Sequence, residues 1–142
     1  MLNKKQRTIV TTHSPQETIA LGKNIANRLK QGDVIYLYGD LGSGKTVFTK
    51  GVCQGLGVTE EVTSSSFVIA TEYKGRVPIS HVDLYRLDHV ETTSLPIDEY
   101  LLDNGITIIE WADRIRDTDG FRVTIEIKGK NTREITIEDF RN

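Results

Sequence analysis

The chain has 142 residues, of which 27% are charged, and its formal net charge is -2. This length predicts one domain over residues 1–142, and the interspersed charges exclude a sequence-wide basic field for direct nucleic-acid binding. No apolar stretch approaches a membrane span and the first residues lack a signal core, so we expect a cytoplasmic protein that binds neither membrane nor DNA.

The first predicted elements are a short strand and an amphipathic helix. The strand is Thr8 to Thr11. Ser14 suits the N-cap of the helix and Pro15 its first position, while Glu17 can reach back to the cap. Apolar residues then recur at helical spacing until Gly32, which predicts a scaffold helix.

The most informative stretch follows next. Val34 to Tyr38 is continuously apolar, as expected for a central strand covered on both faces. Gly39 to Thr46 fits the Gly-x-x-x-x-Gly-Lys-Ser/Thr phosphate-binding loop, in which backbone N–H groups and a helix N-terminus converge on phosphate oxygens. The helix that this motif requires is predicted over Lys45 to Leu56, with Gly57 as its stop. Cys53 lies on this helix and is predicted to be an apolar core residue.

The chemistry of this loop predicts a nucleoside triphosphate and Mg²⁺ as its ligands. Lys45 supplies positive charge for the β- and γ-phosphates, and the hydroxyl of Thr46 is the group that ligates Mg²⁺ in such loops. The candidate nucleotide-binding residues are Gly39, Asp40, Leu41, Gly42, Ser43, Gly44, Lys45, Thr46 and Val47.

A hydroxyl-rich segment follows the second helix and leads into a predicted hairpin. Ser64 and Ser66 are candidates for a loop that senses the γ-phosphate, and an ordinary surface loop is the alternative. The Lys-Gly-Arg stretch after Tyr73 is typical of a hairpin turn, which predicts that it joins the strand Phe67 to Tyr73 to a second strand, Val77 to Val82. Pro78 indicates that the second strand lies at an edge or starts late.

Two acidic residues stand where predicted strands end. Asp83 is a candidate for positioning water or metal, and a surface carboxylate paired with Arg86 is the alternative. Glu110 ends the buried strand Ile106 to Glu110 and is the better candidate for the Mg²⁺-orienting acid. The catalytic candidates are therefore Lys45, Asp83 and Glu110, and the metal candidates are Thr46 and Glu110, with Asp83 direct or through water.

Two single residues and two patterns complete the prediction. A lone His81 is interpreted as a structural histidine, and Trp111 as core packing or, alternatively, a gate over the nucleotide. Leu95 to Leu102 has helical spacing. Val123 to Ile127 and the stretch around Ile135 alternate as an antiparallel hairpin. The predicted fold class is α/β, a three-layer P-loop fold with a mostly parallel core sheet and antiparallel hairpin additions.

Four motifs in this order resemble the TsaE family of small bacterial P-loop ATPases, and the resemblance covers nearly the whole chain. They are Gly39 to Thr46, Ser64-Ser65-Ser66-Phe67 with Glu72-Tyr73, His81-Val82-Asp83-Leu84-Tyr85-Arg86, and Glu110-Trp111-Ala112-Asp113. Two positions depart from the family pattern: Ser65 replaces its usual proline, and Asp113 replaces its common glutamate.

The resemblance implies a function in making threonylcarbamoyladenosine in tRNA. It implies that Lys45 and the loop amides hold ATP, that Thr46 and Glu110 hold Mg²⁺, and that Asp83 is essential for hydrolysis. It further implies a TsaB–TsaD heterodimer as partner, which ATP hydrolysis would reset between turnovers, with tRNA contacted only indirectly. Because no arginine is committed to the transition state by the sequence, we expect hydrolysis to be slow without the partner.

Two alternatives from other functional classes stay open at this point. A small-molecule kinase shares the phosphate loop, but it needs an acceptor pocket and an arginine-rich lid, for which only Arg114 and Arg116 are available. A nucleotide-gated binding module with negligible turnover would use the same loop only to switch a partner interface.

Overall fold

The computed structural model describes residues 6–62, 70–84, 99–112 and 119–141. Seven strands and two α-helices occur in this part of the chain. In chain order they are β1 Gln6–Thr12, α1 Pro15–Ala26, β2 Val34–Tyr38, α2 Lys45–Gly55, β3 Ala70–Lys74, β4 Pro78–Asp83, β5 Ile106–Glu110, β6 Phe121–Ile127 and β7 Arg133–Asp139.

The seven described strands form one mixed sheet in the order β1-β7-β6-β2-β5-β4-β3. β2 lies at its centre and pairs in parallel with β5 and β6, and β4 pairs in parallel with β5. The outer pairs β1–β7, β6–β7 and β3–β4 are antiparallel. The predicted α/β class, with a mostly parallel centre and antiparallel hairpin additions, is confirmed, whereas the strand order was not predictable.

Both described helices pack on one face of the sheet. Ile25 of α1 and Phe48 of α2 belong to one buried cluster with alternate residues of β2, β5, β6 and β7. The helices meet at Gly51, where an added Cβ would lie 2.2 Å from the carbonyl oxygen of Ile19. On the opposite face a smaller cluster joins β2, β4 and β5 to the half-buried Tyr100. α2, which carries the loop, is therefore fixed against both the sheet and α1.

The start of α1 follows the prediction with one correction. Ser14 is the N-cap, and its Oγ accepts a hydrogen bond from the Glu17 amide at 3.1 Å. The Glu17 carboxylate accepts from the amide of His13 at 2.7 Å, one residue before the cap. At the other end the α-helix stops at Ala26, because the amides of residues 27–29 bond three residues back and tighten the last turn.

The predicted helix Leu95 to Leu102 is wrong at its end. Residues 95–98 lie outside the described residues, Glu99 is assigned to a 3-10 turn, and Leu101 and Leu102 have no helical assignment. The Leu102 amide donates to the Thr107 hydroxyl at 3.0 Å, which ties this segment to the start of β5. Apolar residues therefore recur at helical spacing in a segment that is not helical at Leu101 and Leu102 and that leads into β5.

The remaining predictions on element position are mostly confirmed. β2 and β5 have the predicted bounds, and β4 starts late, at Pro78. Cys53 is buried, and burial raises the pKa of its thiol to about 12, which agrees with a core residue. Among the described residues, no helix is long and apolar enough to cross a membrane.

Candidate functional site

The loop Gly39 to Thr46 lies between the end of β2 and the first turn of α2. Gly42 and Gly44 have φ values of 80° and 112°, in the left-handed region that glycine adopts at low cost. Gly44 is the N-cap of α2, and no described side chain caps that end of the helix. The backbone N–H groups and the positive end of α2 therefore converge on the loop, as anion binding requires.

Lys45 is held inside this loop. Its side chain is 5% exposed, and Nζ donates to the carbonyl oxygens of Gly39 at 2.6 Å and Asp40 at 3.0 Å. The same Nζ lies 3.9 Å from the centroid of the Trp111 ring. Trp111 is half-buried, and its φ of 60° is the one left-handed value among the described non-glycine residues. Trp111 thus belongs to the surroundings of the loop lysine as well as to the smaller core cluster.

The two predicted acidic residues come together beside the loop. Asp83 and Glu110 are register partners at the ends of the parallel strands β4 and β5, and β5 lies next to β2. The Thr46 hydroxyl donates toward the Glu110 carboxylate, with Oε1 at 3.1 Å and Oε2 at 3.2 Å. Asp83 is half-buried on the same face of the sheet. Thr46, Asp83 and Glu110, all predicted from the sequence, therefore lie together at the carboxyl ends of the parallel strands.

His81 belongs to this group although the sequence indicated a structural role. Its Nε2 lies 2.5 Å from Glu110 Oε2, and the side chains of both residues are 3% exposed. A signal did exist: His81 precedes Asp83 by two residues, and residues two apart in a strand share a face. Its contact with Glu110, however, depends on β4 lying next to β5.

Arg133 is a second residue that the sequence did not single out. It begins β7, and its Nε donates to the Ser43 carbonyl oxygen at 2.9 Å while Nη2 donates to that of Gly42 at 3.3 Å. The same guanidinium also bonds backbone carbonyls of the β6–β7 turn. Arg133 thereby connects the phosphate-binding loop to the antiparallel side of the sheet.

The loop contains a buried polar atom and borders a cavity. Ser43 is 1% exposed, and its Oγ has no hydrogen-bond partner among the described residues. A cavity of about 230 Å³ is bounded by the loop, the N-terminus of α1 and the β6–β7 turn, and Val47 contributes to its wall. An unmatched hydroxyl, uncapped helix amides and a lysine fit the phosphate groups of a ligand whose remainder enters the cavity.

The other predicted site residues are distributed as follows. Asp40 and Leu41 are exposed at the tip of the loop, Leu41 by 69%. Ser64 and Ser66 lie outside the described residues, as do Arg86 and Asp113. The proposed γ-phosphate sensor and the alternative ion pair of Asp83 therefore stay predictions.

The donor set fits Mg²⁺ shared with a nucleotide. Among the described residues, no group of three or more His, Cys, Asp or Glu side chains could hold a metal ion. Thr46 and Glu110 offer hard oxygen atoms beside the loop, and Mg²⁺ in nucleotide sites takes its other ligands from phosphates and water.

The fold and the loop together define an α/β protein of the P-loop class. The family model described as "Threonylcarbamoyl adenosine biosynthesis protein TsaE" matches residues 12–136, and the chain belongs to this family. This finding confirms the resemblance seen in the sequence, and the family is one of nucleotide-binding proteins.

Relatives with the same family name match over most of the chain. The tRNA threonylcarbamoyladenosine biosynthesis protein TsaE of Bacillus subtilis is 41% identical over 140 residues, which are 96% of this chain and 85% of the relative. That of Treponema pallidum is 35% identical over 130 residues, 89% of this chain and 96% of the relative. The crystal structure of Bacillus subtilis YdiB superimposes with a TM-score of 0.82 at 38% identity, covering 99% of this chain and 88% of that one.

Proposed function

We propose that this protein is a Mg²⁺-dependent ATPase that acts in the threonylcarbamoyladenosine modification of tRNA. The observation that carries the enzymatic part is the contact between Thr46 and Glu110 at the mouth of the loop. A hydroxyl and a carboxylate at this place are the two protein ligands that P-loop hydrolases use for the metal. The modification pathway is proposed from the names of the relatives.

The residues of the loop would bind the triphosphate. Lys45 would leave the carbonyls of Gly39 and Asp40 for the β- and γ-phosphate oxygens, where its charge offsets theirs. The amides at the start of α2 would donate to the same groups, and the nucleoside would lie in the 230 Å³ cavity beside Val47. Thr46 and Glu110 would hold Mg²⁺, which neutralises charge that develops on the phosphates.

Hydrolysis would consist of attack by water on the γ-phosphorus. The bond from that phosphorus to the oxygen bridging it to the β-phosphate breaks, which yields ADP and inorganic phosphate, and the proton of the water ends in solvent. Asp83 is half-buried on the face that Glu110 occupies, so its carboxylate can orient the attacking water. The candidate catalytic residues are therefore Lys45, Asp83 and Glu110.

The site supports a hydrolase that depends on a partner. Arg133 contacts the loop, but its hydrogen bonds go to backbone carbonyls of Gly42, Ser43 and the neighbouring turn. Those contacts leave it a positioning role rather than stabilisation of the transition state. We propose that the TsaB–TsaD heterodimer stimulates turnover in the cytoplasm and that tRNA is contacted only through it.

The experiment is release of inorganic phosphate from ATP with Mg²⁺ and without any acceptor, measured for the wild type and Glu110→Gln. Glutamine keeps the size of the side chain but removes the charge that holds the metal. We expect phosphate release to fall by about 100-fold while binding of ATP without Mg²⁺ is retained.

Glu126→Gln is the matched control, since Glu126 is exposed on β6 and pairs only loosely with Lys128 at 3.9 Å. It should release phosphate at the wild-type rate. Normal turnover in Glu110→Gln would remove Glu110 from the mechanism. Nucleotide binding without phosphate release, alone or with TsaB–TsaD, would favour the binding module over the enzyme.

A further inference from the structure

We propose that His81 is the positioning residue of the Glu110 carboxylate, and that its Nε2–H determines how tightly the loop retains Mg²⁺ together with a nucleotide. This inference rests on the proposed function, because it assigns a role at the same metal site. It concerns a residue that the sequence indicated to be structural.

The two oxygens of the Glu110 carboxylate differ in their contacts, because Oε2 has one partner more than Oε1. The Thr46 hydroxyl lies at similar distances from both oxygens, 3.1 and 3.2 Å, so this contact alone does not define the rotation of the carboxylate. His81 Nε2 contacts Oε2 only, at 2.5 Å. His81 therefore fixes Oε2 and leaves Oε1 beside the Thr46 oxygen as a pair of hard ligands.

Burial makes this contact consequential. Both side chains are 3% exposed, so water would not replace a lost hydrogen bond to the carboxylate. An ionised carboxylate only accepts hydrogen bonds, so the proton of the pair lies on Nε2. The donor that the proposal needs is therefore the Nε2–H group of the ring.

Two features of the fold hold the imidazole in place. His81 lies on β4, whose parallel pairing with β5 places it on the face that carries Glu110. Its ring also stacks on Tyr73 of β3, with centroids 6.3 Å apart and an interplanar angle of 30°. The donor is therefore carried by regular strands, which position side chains more accurately than loops do.

The test compares two amide substitutions of equal polarity and different reach. In His81→Gln the amide nitrogen can take the place of Nε2, whereas in His81→Asn it is too short to contact Glu110. ATP affinity is measured by calorimetry across a Mg²⁺ series and in EDTA. We expect His81→Asn to weaken apparent Mg²⁺ affinity by about 10-fold or more, and His81→Gln to stay within about threefold of the wild type.

Affinity for ATP in EDTA should be unchanged in both variants, since the inference concerns the metal ligand only. A purely structural histidine would instead alter unfolding and leave the Mg²⁺ dependence as it is. If His81→Asn does not fold, His81→Phe removes the same donor and keeps the volume of the ring.

Three results would overturn the inference: a wild-type Mg²⁺ dependence in His81→Asn, an equal loss in both amide variants, or failure of His81→Gln to fold. An insensitive His81→Asn overturns this inference alone. A wild-type protein that binds ATP equally well with Mg²⁺ and with EDTA would overturn the proposed function as well.

Discussion

The parallel strands of the sheet end at two sides: the carboxyl edge, where β2 leads into the phosphate-binding loop, and the amino edge opposite. Charged groups are arranged differently at these two edges. At the carboxyl edge, Lys45 is bonded to backbone carbonyls and the Ser43 hydroxyl has no partner among the described residues. At the amino edge, Arg141 bonds Asp139 at 2.9 Å and Asp33 at 3.0 Å, so that the charges satisfy one another.

The amino edge also contains stacked cations. The guanidinium carbons of Arg141 and Arg28 lie 4.3 and 5.0 Å from the centroid of the Phe121 ring. Arg28 further bonds Asp139 at 3.5 Å and Gln6 at 2.6 Å. This edge ties the end of β7 to the start of β1 and to the segment after α1.

The difference separates groups that stabilise the fold from groups available to a ligand. Where charges are mutually paired, removal of one partner destabilises the protein, because the other charge is left uncompensated. Polar groups that donate to loop carbonyls, as Lys45 does, can exchange those hydrogen bonds for a ligand's at little cost to the core. Substitutions at the carboxyl edge should therefore change nucleotide binding, and substitutions at the amino edge should change the free energy of unfolding.

The largest effect is expected at Lys45. Lys45→Ala removes the cation of the phosphate-binding loop, so ATP affinity or phosphate release should fall by about 100-fold or more. The midpoint of urea unfolding should change little, because the lost bonds are to loop carbonyls. Lys50→Ala, which removes a cation further along α2, is the control and should bind and hydrolyse ATP as the wild type does. Unchanged nucleotide binding in Lys45→Ala would contradict the assignment of the loop.

A smaller effect is expected at Arg133. Arg133→Ala removes the hydrogen bonds that hold the carbonyls of Gly42 and Ser43, so the loop is less well ordered for the phosphates. ATP affinity measured by calorimetry should weaken by roughly 10-fold. Lys128→Ala removes a cation from the same hairpin without touching the loop and should have no effect. Equal losses in both variants would indicate general electrostatic attraction instead.

No effect on nucleotide binding is expected at Asp139, where stability should change instead. The side-chain hydrogen bond from Arg141 lowers the pKa of Asp139 from its ordinary value of 3.8. A lowered folded-state pKa gives stability that is present above pH 3.8 and is lost as the pH falls through the folded pKa. Asp139→Asn should cost about 2 kcal/mol of unfolding free energy near pH 7.

That difference should shrink in acid, because below pH 3.8 the unfolded carboxyl binds a proton more readily than the folded one, and the wild type then loses the stability that its charge provides. Urea unfolding of both proteins at about pH 7 and about pH 3 measures it. ATP affinity at neutral pH should be the same in the two proteins. A constant difference in stability at both pH values would mean that Asp139 acts through packing and not through its charge.

The sequence predicted the centre of the sheet best. β2 and β5 were predicted with their correct bounds because continuous apolar runs between turn residues indicate buried strands. The loop and the acids Asp83 and Glu110 were predicted for a related reason, because each directly follows or ends a stretch that the sequence identifies as a strand. Their proposed roles stay predictions.

The contacts that depend on strand order could not be predicted. His81 meets Glu110 only because β4 lies beside β5, and Arg133, on the hairpin that the sequence did predict, meets the loop only because β6 lies beside β2. Neither neighbour relation is encoded by the spacing of nearby residues. The helix predicted at Leu101 is wrong because the local apolar spacing is not decisive there. The Leu102 amide instead bonds the Thr107 side chain at the start of β5.

The backbone contact between the two helices has a consequence for the cavity beside the loop. Ile19, which touches Gly51, lies about one helical turn from Ser14 and Pro15, and those two residues form a wall of the cavity. Any side chain at position 51 would push α1 away from α2 and displace that wall. A substitution at Gly51 should therefore change the shape of a cavity that Gly51 itself does not line.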